Sequence, residues 1–198
     1  MPLIEFITDE IRLWTILHML GVVVGLGAAT VTDVLFFRFL KDFRISKKEA
    51  DIMATLSKVI WLALIVLVVS GIALFIPKQD VLLANGKFLT KTIALGVIII
   101  NGLMLNFYLQ PRLITIHFAG ERPVRERLAR KIAFLLGGIS VSSWYFVFII
   151  GSLRGVRIPF SEVFLVYLIL LFVAVSGSQL YEYRLWKKYK KAPLPDGK

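Results

Sequence analysis

Cysteine is absent from the 198 residues, which excludes disulfides, thiolate metal sites, iron–sulfur clusters and nucleophilic thiols. Histidine occurs only twice and methionine four times, and Met1, Met19, Met53 and Met104 form no thioether ladder for copper. Acidic residues are scarce, 13 against 24 Lys and Arg. No proline interrupts the long apolar runs. The chain also lacks a hydrolytic triad, a glycine-rich phosphate loop, a zinc motif, an internal repeat and any low-complexity run. An inverted-repeat transporter would show matched broken helices, and none is visible. His, carboxylate, Lys, Tyr and Met are left to carry chemistry.

What the sequence has in abundance is apolar length: 58% hydrophobic residues and a mean hydropathy of +0.78. Runs of this kind predict a helical membrane protein, because a helix satisfies its own backbone in lipid and about 20 residues cross the hydrocarbon core. The expected fold is all-α, a polytopic bundle of five transmembrane helices at about 13–37, 53–76, 88–109, 132–153 and 160–180. They form a single domain over 1–185, and a basic tail follows over 186–198. Leu3, Ile4, Ile7, Ile11 and Trp14 recur at helical spacing ahead of the first run and predict a short interfacial helix. Glu5, Asp9 and Glu10 are opposite in sign to the start of a secretory signal, so the first span is expected to be retained. Ser46 with Glu49 is a capping-box signal for the second helix. Pro77 stops that span, Asn85 and Gly86 mark a turn, and the third span ends before Pro111.

The net charge of +11 reflects membrane topology and gives no support to nucleic-acid binding. Seventeen Lys and Arg residues lie on one side of the five spans, from Arg38 to Lys48, Arg112 to Lys131 and Arg184 to Lys198, against six on the other, Arg12, Lys78, Lys87, Lys91, Arg154 and Arg157. By the positive-inside rule the amino end is outside and the carboxyl end cytoplasmic, in a bacterial cytoplasmic (inner) membrane.

Within the first span, His18, Gly21, Gly25, Ala29, Thr32 and Asp33 fall within about 60° of one direction at ~100° per residue. Ionisable groups are costly in lipid, so this face should point into the protein. His18 lies ~7 Å inside the outer boundary, close to the depth of Lys91 on the third span; Asp33 lies ~22 Å further along, level with Lys58. The expected readings are an Asp33–Lys58 ion pair, or a proton relay through the two, and interhelical hydrogen bonding for Asn101 and Asn106. Gly21 and Gly25 read as close helix packing. His18 reads either as a haem ligand, with room made by its glycines, or as a histidine hydrogen-bonded to a neighbouring helix. Topology puts His117 on the opposite side, so a second iron ligand would be Lys91, Tyr145, Tyr167 or a group from another subunit. Trp144 and Phe148 could wall the same site.

LHMLG with a downstream FFRFLKD, then IW and SGIAL in the second span and KFLTK opening the third, resembles a group of small bacterial membrane proteins. It includes the copper-resistance D-like family and the HemJ-type protoporphyrinogen oxidases. The likeness covers the first three spans. In HemJ-type proteins a first-span histidine and a third-span lysine are associated with haem b and tetrapyrrole oxidation, and the matching positions here are His18 and Lys91. The resemblance implies a membrane oxidoreductase that binds haem b or a related tetrapyrrole through His18, with Lys91 as second ligand or acid–base partner. Its partners would be the lipid bilayer, a tetrapyrrole or quinone-like small molecule and a second copy of the chain. The alternatives are a small transport or ion-coupling protein using Asp33, Lys58, Asn101 and Asn106, and a non-catalytic assembly subunit.

Overall fold

The computed structural model describes residues 7–39, 45–115, 124–153, 156 and 158–189. These contain five long helices: α1 (Ile11–Phe39), α2 (Lys47–Phe75), α3 (Gly86–Leu103), α4 (Val124–Ser152) and α5 (Phe160–Tyr189). All five belong to helical segments long and apolar enough to cross a membrane, and no strand occurs among the described residues. The helices outrun the apolar stretches because their polar ends stay helical beyond the hydrophobic windows. The Leu3–Ile4 part of the interfacial stripe, His117, and the tail from residue 190 lie outside the described residues. α5 runs past the expected boundary at 185–186, through Trp186 to Tyr189.

Local chemistry accounts for the helix ends. Ser46 and Glu49 form the expected capping box: the Ser46 hydroxyl accepts from the Glu49 amide at 3.3 Å, and the Glu49 carboxylate accepts from the Ser46 amide at 2.7 Å. Ser46→Ala should therefore cost about 1 kcal/mol. Unfolding in detergent checks this, and an unchanged midpoint would show that tertiary packing alone sets the start of α2. Pro77 ends α2, yet the chain stays helical through a 3-10 turn at Ile76–Lys78 and a short helix at Gln79–Leu83. The stretch between Pro77 and the Asn85–Gly86 turn is thus mostly helical. The Asn85 side chain accepts from the Lys87 amide at 3.0 Å and starts α3. A Cβ on Gly86 would collide with the Phe160 backbone, so this turn packs directly on the start of α5. The third span does not stop before Pro111: it widens into a π-helix at Met104–Leu109 and tightens into a 3-10 helix at Gln110–Thr115. The changes of winding carry the chain past a residue that has no amide hydrogen to donate.

Two groups of helices make the bundle. α1 and α2 pack most closely, their backbones brought together at Gly21, where a Cβ would sit 3.1 Å from the Ala63 carbonyl and from Leu67. The other group is α3, α4 and α5, with α4 and α5 brought together at Gly138, where a Cβ would sit 3.0 Å from the Ala174 carbonyl. The groups meet where α1 crosses α4. α2 and α3, consecutive in the chain, make few close backbone approaches, and the seam between them is filled by rings. Phe75 stacks on Phe88 at 5.5 Å, Trp61 lies over Gly102, where a Cβ would be 3.5 Å from its ring, and Trp144 is buried against Gly25. Outside the bundle, large apolar side chains such as Phe172 (73% exposed) and Phe107 (71%) face outward. That surface is consistent with a multi-pass integral membrane protein, since water does not tolerate so continuous an apolar exterior.

Two buried charges tie the second group together at opposite ends. The Lys87 ammonium donates to the Leu153 carbonyl at 2.6 Å, capping α4. At the other end the Arg130 guanidinium donates to the Glu182 carboxylate at 2.5 Å, with 4% and 3% of the two side chains exposed.

Candidate functional site

His18 lies in the interface of α1 and α2. Its Nδ1 is 3.2 Å from the Ser70 hydroxyl, and the ring sits over Gly71, where a Cβ would be 3.4 Å from Cε1. Glycine at 71 is what lets the imidazole lie close to the α2 backbone. The antiparallel hairpin sets this pairing, because the register that puts Gly21 against Ala63 and Leu67 carries His18 to Ser70.

The hydrogen-bond directions follow from Ser70. Its single hydroxyl hydrogen is donated within α2, to the Val66 carbonyl at 2.6 Å. Toward His18 it can only accept, so Nδ1 carries the proton and donates to it. Nε2 of the neutral ring then holds the lone pair, and the ring also lies within hydrogen-bond reach of the Leu67 backbone. A histidine held through Nδ1 with its lone pair on Nε2 is the arrangement seen in metal-ligating imidazoles.

Lys91 is half-buried on α3 and lies within electrostatic reach of His18 across the seam and of Lys87 one turn back on its own helix. The two residues that the sequence had placed at one depth are thus within electrostatic reach of each other. Ser70 also lines an open, apolar cleft of about 240 Å³ with Trp14, Leu17, Ile65, Val66 and Val69. His18 and Lys91 are not part of its wall.

Other expected site residues are placed elsewhere. Trp144 does not wall His18; it is 3% exposed and packs against Gly25, two turns along α1, together with Ala29, Leu64, Leu67 and Ile98. Phe148 is 43% exposed on the outer surface. The Tyr145 hydroxyl is 3.2 Å from Thr30, and the Tyr167 hydroxyl 2.9 Å from Ser143 in the α4–α5 interface, so neither reaches His18. Asp33 and Lys58 make no ion pair: Lys58 is exposed, while Asp33 is half-buried and its carboxyl has no hydrogen-bond or ion-pair partner among the described residues. Depth matches, but the two side chains differ in burial. Asn101 is 4% exposed, and its side-chain oxygen has no hydrogen-bond partner, so it does not glue helices through that atom. Asn106 falls inside the π-helix.

Three residues that organise the site and bundle were not singled out from the sequence. Ser70 and Glu182 carried no assigned role, and Lys87 counted only among the six cations of the sparser side. Pairing α1 against α2 as a tight antiparallel hairpin would have found the first.

Among the described residues no group of three or more His, Asp or Glu is arranged to hold a bare metal ion. A haem asks less of the protein, one axial nitrogen in apolar surroundings, and the donor chemistry at His18 fits it. The 240 Å³ cleft lies below the ~300–1,000 Å³ of enclosing ligand pockets, so room for a macrocycle would have to come from the seam between the helix groups. No family model, curated protein or solved structure matches the chain.

Proposed function

We propose that this multi-pass membrane protein binds a planar tetrapyrrole, haem b in the simplest case, through His18, and serves electron transfer or tetrapyrrole oxidation. The observation that carries the reading is the imidazole itself, held through Nδ1 by a serine whose own hydrogen is committed to Val66, which leaves the lone pair on Nε2. The chain's resemblance to HemJ-type proteins at His18 and Lys91 supports it. Haem iron, when bound, supplies a one-electron couple. Ser70 fixes the tautomer and orientation of the ligand ring, Gly71 gives the ring its place, and the surrounding apolar side chains keep water from the axial nitrogen.

Protein purified in detergent from haem-sufficient cells is expected to show a Soret band and a reduced-minus-oxidised α-band. His18→Ala should abolish both. Ser70→Ala should keep the bands and weaken haem affinity about 10–100-fold, the usual effect of losing an outer-shell partner. A colourless wild-type protein that also fails to take up added haem sinks the proposal.

A second reading rests on Asp33, a carboxyl within a span that has neither hydrogen-bond nor ion-pair partner among the described residues. Such a group is costly in lipid and is the usual mark of ion or proton coupling. Flux into vesicles that is lost in Asp33→Asn would support it; wild-type rates in that variant would dismiss it.

The orientation, amino end outside, rests on the excess of Lys and Arg at the end of the bundle that carries Arg130. The cysteine-free chain makes it testable. In intact cells, Lys78→Cys should react with an impermeant maleimide and Lys48→Cys only after permeabilisation; the reverse pattern inverts the topology.

A further inference from the structure

Asp33 and Lys58 both lack an opposite charge among the described residues of their own chain, and the packing of α1 on α2 shows why they miss each other. Gly25 lies against Ala63, where a Cβ on the glycine would be 3.4 Å from the Ala63 Cβ. Counting equal lengths on from Gly25 along α1 and back from Ala63 along the antiparallel α2 sets Asp33 level with Thr55. The Lys58 backbone then differs from Asp33 in depth by only ~4.5 Å. Direction separates the two. Lys58 lies ~140° round α2 from Ala63 at ~100° per residue, and it is exposed on the outside of the bundle, one turn from Leu62, which is 65% exposed. Asp33 is on the side of α1 that meets α4 and α5. One turn before it the Thr30 hydroxyl is 3.2 Å from that of Tyr145, and one turn after it the Phe37 ring packs edge-on against Tyr181 at 5.6 Å. Phe37, Tyr145 and Tyr181 are 46%, 41% and 47% exposed, so this line of contact runs along the surface of the bundle and not through its core.

We propose that Asp33 of one copy pairs with Lys58 of the next, so that the chain assembles in the membrane as a head-to-tail oligomer of like-oriented copies. The membrane supplies the alignment. Every copy inserts with its basic connections on the same side, which holds the carboxylate and the ammonium at nearly one depth throughout, and the flexible four-carbon stem of the lysine spans the remaining difference. Because anion and cation lie on different faces of one molecule, the contact between copies is heterologous, and such contacts close into rings when the rotation between neighbours allows. Lysine alone could satisfy itself by reaching to the headgroups, but aspartate has no long stem with which to do so. Asp33 is therefore the member that requires the pair, and a charge-assisted bond at the edge of the hydrocarbon is among the strong ones. This inference is independent of the tetrapyrrole reading of His18, and it gives Asp33 a counter-charge where the second reading gives it ion coupling.

The cysteine-free chain permits a test that leaves both charges in place. Two differently tagged copies are co-expressed, one with Val34→Cys, 60% exposed beside Asp33, the other with Thr55→Cys, exposed one turn from Lys58. Membranes treated with a permeant bis-maleimide should yield a product that carries both tags. Leu13→Cys, exposed at the opposite edge of the membrane, should give none with Thr55→Cys, because like-oriented copies keep the two at different depths. Asp33→Asn, or Lys58→Gln, in both copies should lower the yield about tenfold. Asp33→Lys should abolish the product, and Asp33→Lys combined with Lys58→Asp should restore it. The absence of a two-tag product from Val34→Cys and Thr55→Cys, a yield unchanged by Asp33→Asn and Lys58→Gln, or equal products from Leu13→Cys and Val34→Cys would each overturn the proposal. The first comparison stands even where Asp33→Lys fails to insert. Vesicle flux that is lost in Asp33→Asn while the cross-link persists would also overturn it, and would leave the carboxyl to ion coupling.

Discussion

Replacing Glu182 with Leu is expected to destabilise the bundle by about 3–5 kcal/mol, the usual result of removing one member of a buried ion pair. Arg130 and Glu182 are 3% and 2% exposed, on α4 and α5, with the guanidinium Nε donating to the carboxylate. Taking away the carboxylate leaves a buried cation without the counter-charge that α5 gave it, in surroundings where water cannot substitute. The pair as a whole is worth much less than that, because desolvating both ions offsets most of their attraction. Arg130→Met combined with Glu182→Leu should therefore recover most of the loss. Unfolding followed by circular dichroism in mixed detergent micelles reads both variants. A single Glu182→Leu change within about 1 kcal/mol of the wild type would mean that Arg130 finds enough compensation elsewhere.

Trp144→Ala should cost about as much, 3–5 kcal/mol, for an unrelated reason. The indole, 3% exposed, is the bulk that fills the join between the two helix groups. It fits because position 25 has no side chain, where a Cβ would stand 2.5 Å from the ring. The two residues are one knob and its hole, so substitutions at them should not add. Gly25→Leu alone overpacks the join by about 1–3 kcal/mol. Gly25→Leu with Trp144→Ala moves the bulk from α4 to α1 and should be more stable than the sum of the single changes, by about 0.5–3 kcal/mol. Simple additivity would show that the indole and the glycine do not share one space. The same measurement bears on the site, because α1 carries His18 two turns from Gly25, and α1 reaches the second helix group by its crossing with α4.

Much of this molecule is legible in the chain. Apolar length gives five helices, since in lipid a backbone has to satisfy itself, and the Ser46–Glu49 box fixes where α2 begins. The small residues at 21 and 25 on the face of His18 announce close packing, which the structure shows against α2 and against Trp144 respectively. Depth, counted along each helix, brought His18 and Lys91 to one level. The same counting misled at Asp33 and Lys58, because depth is one coordinate and a contact needs the azimuth of both helices as well. Trp144 misled for a similar reason. An aromatic in a span reads equally as a site wall, a lipid anchor or a core knob, and only the glycine opposite decides among them.

The sequence by itself determined the number of long helices, the apolar stretch within each, the polar face of α1 and the uneven spread of charge, because each depends on local backbone satisfaction or on composition; the ends it missed most are the start of α4 and the end of α5, at Val124 and Tyr189. Tertiary structure alone decided that Ser70 fixes the His18 proton, that Lys87 caps α4, that Glu182 neutralises Arg130 and that Asp33 goes without a partner among the described residues. Those outcomes depend on how helices rotate about their own axes when they pack. Rotation is set by the summed fit of small and large side chains from several helices at once, and no stretch of sequence carries that sum.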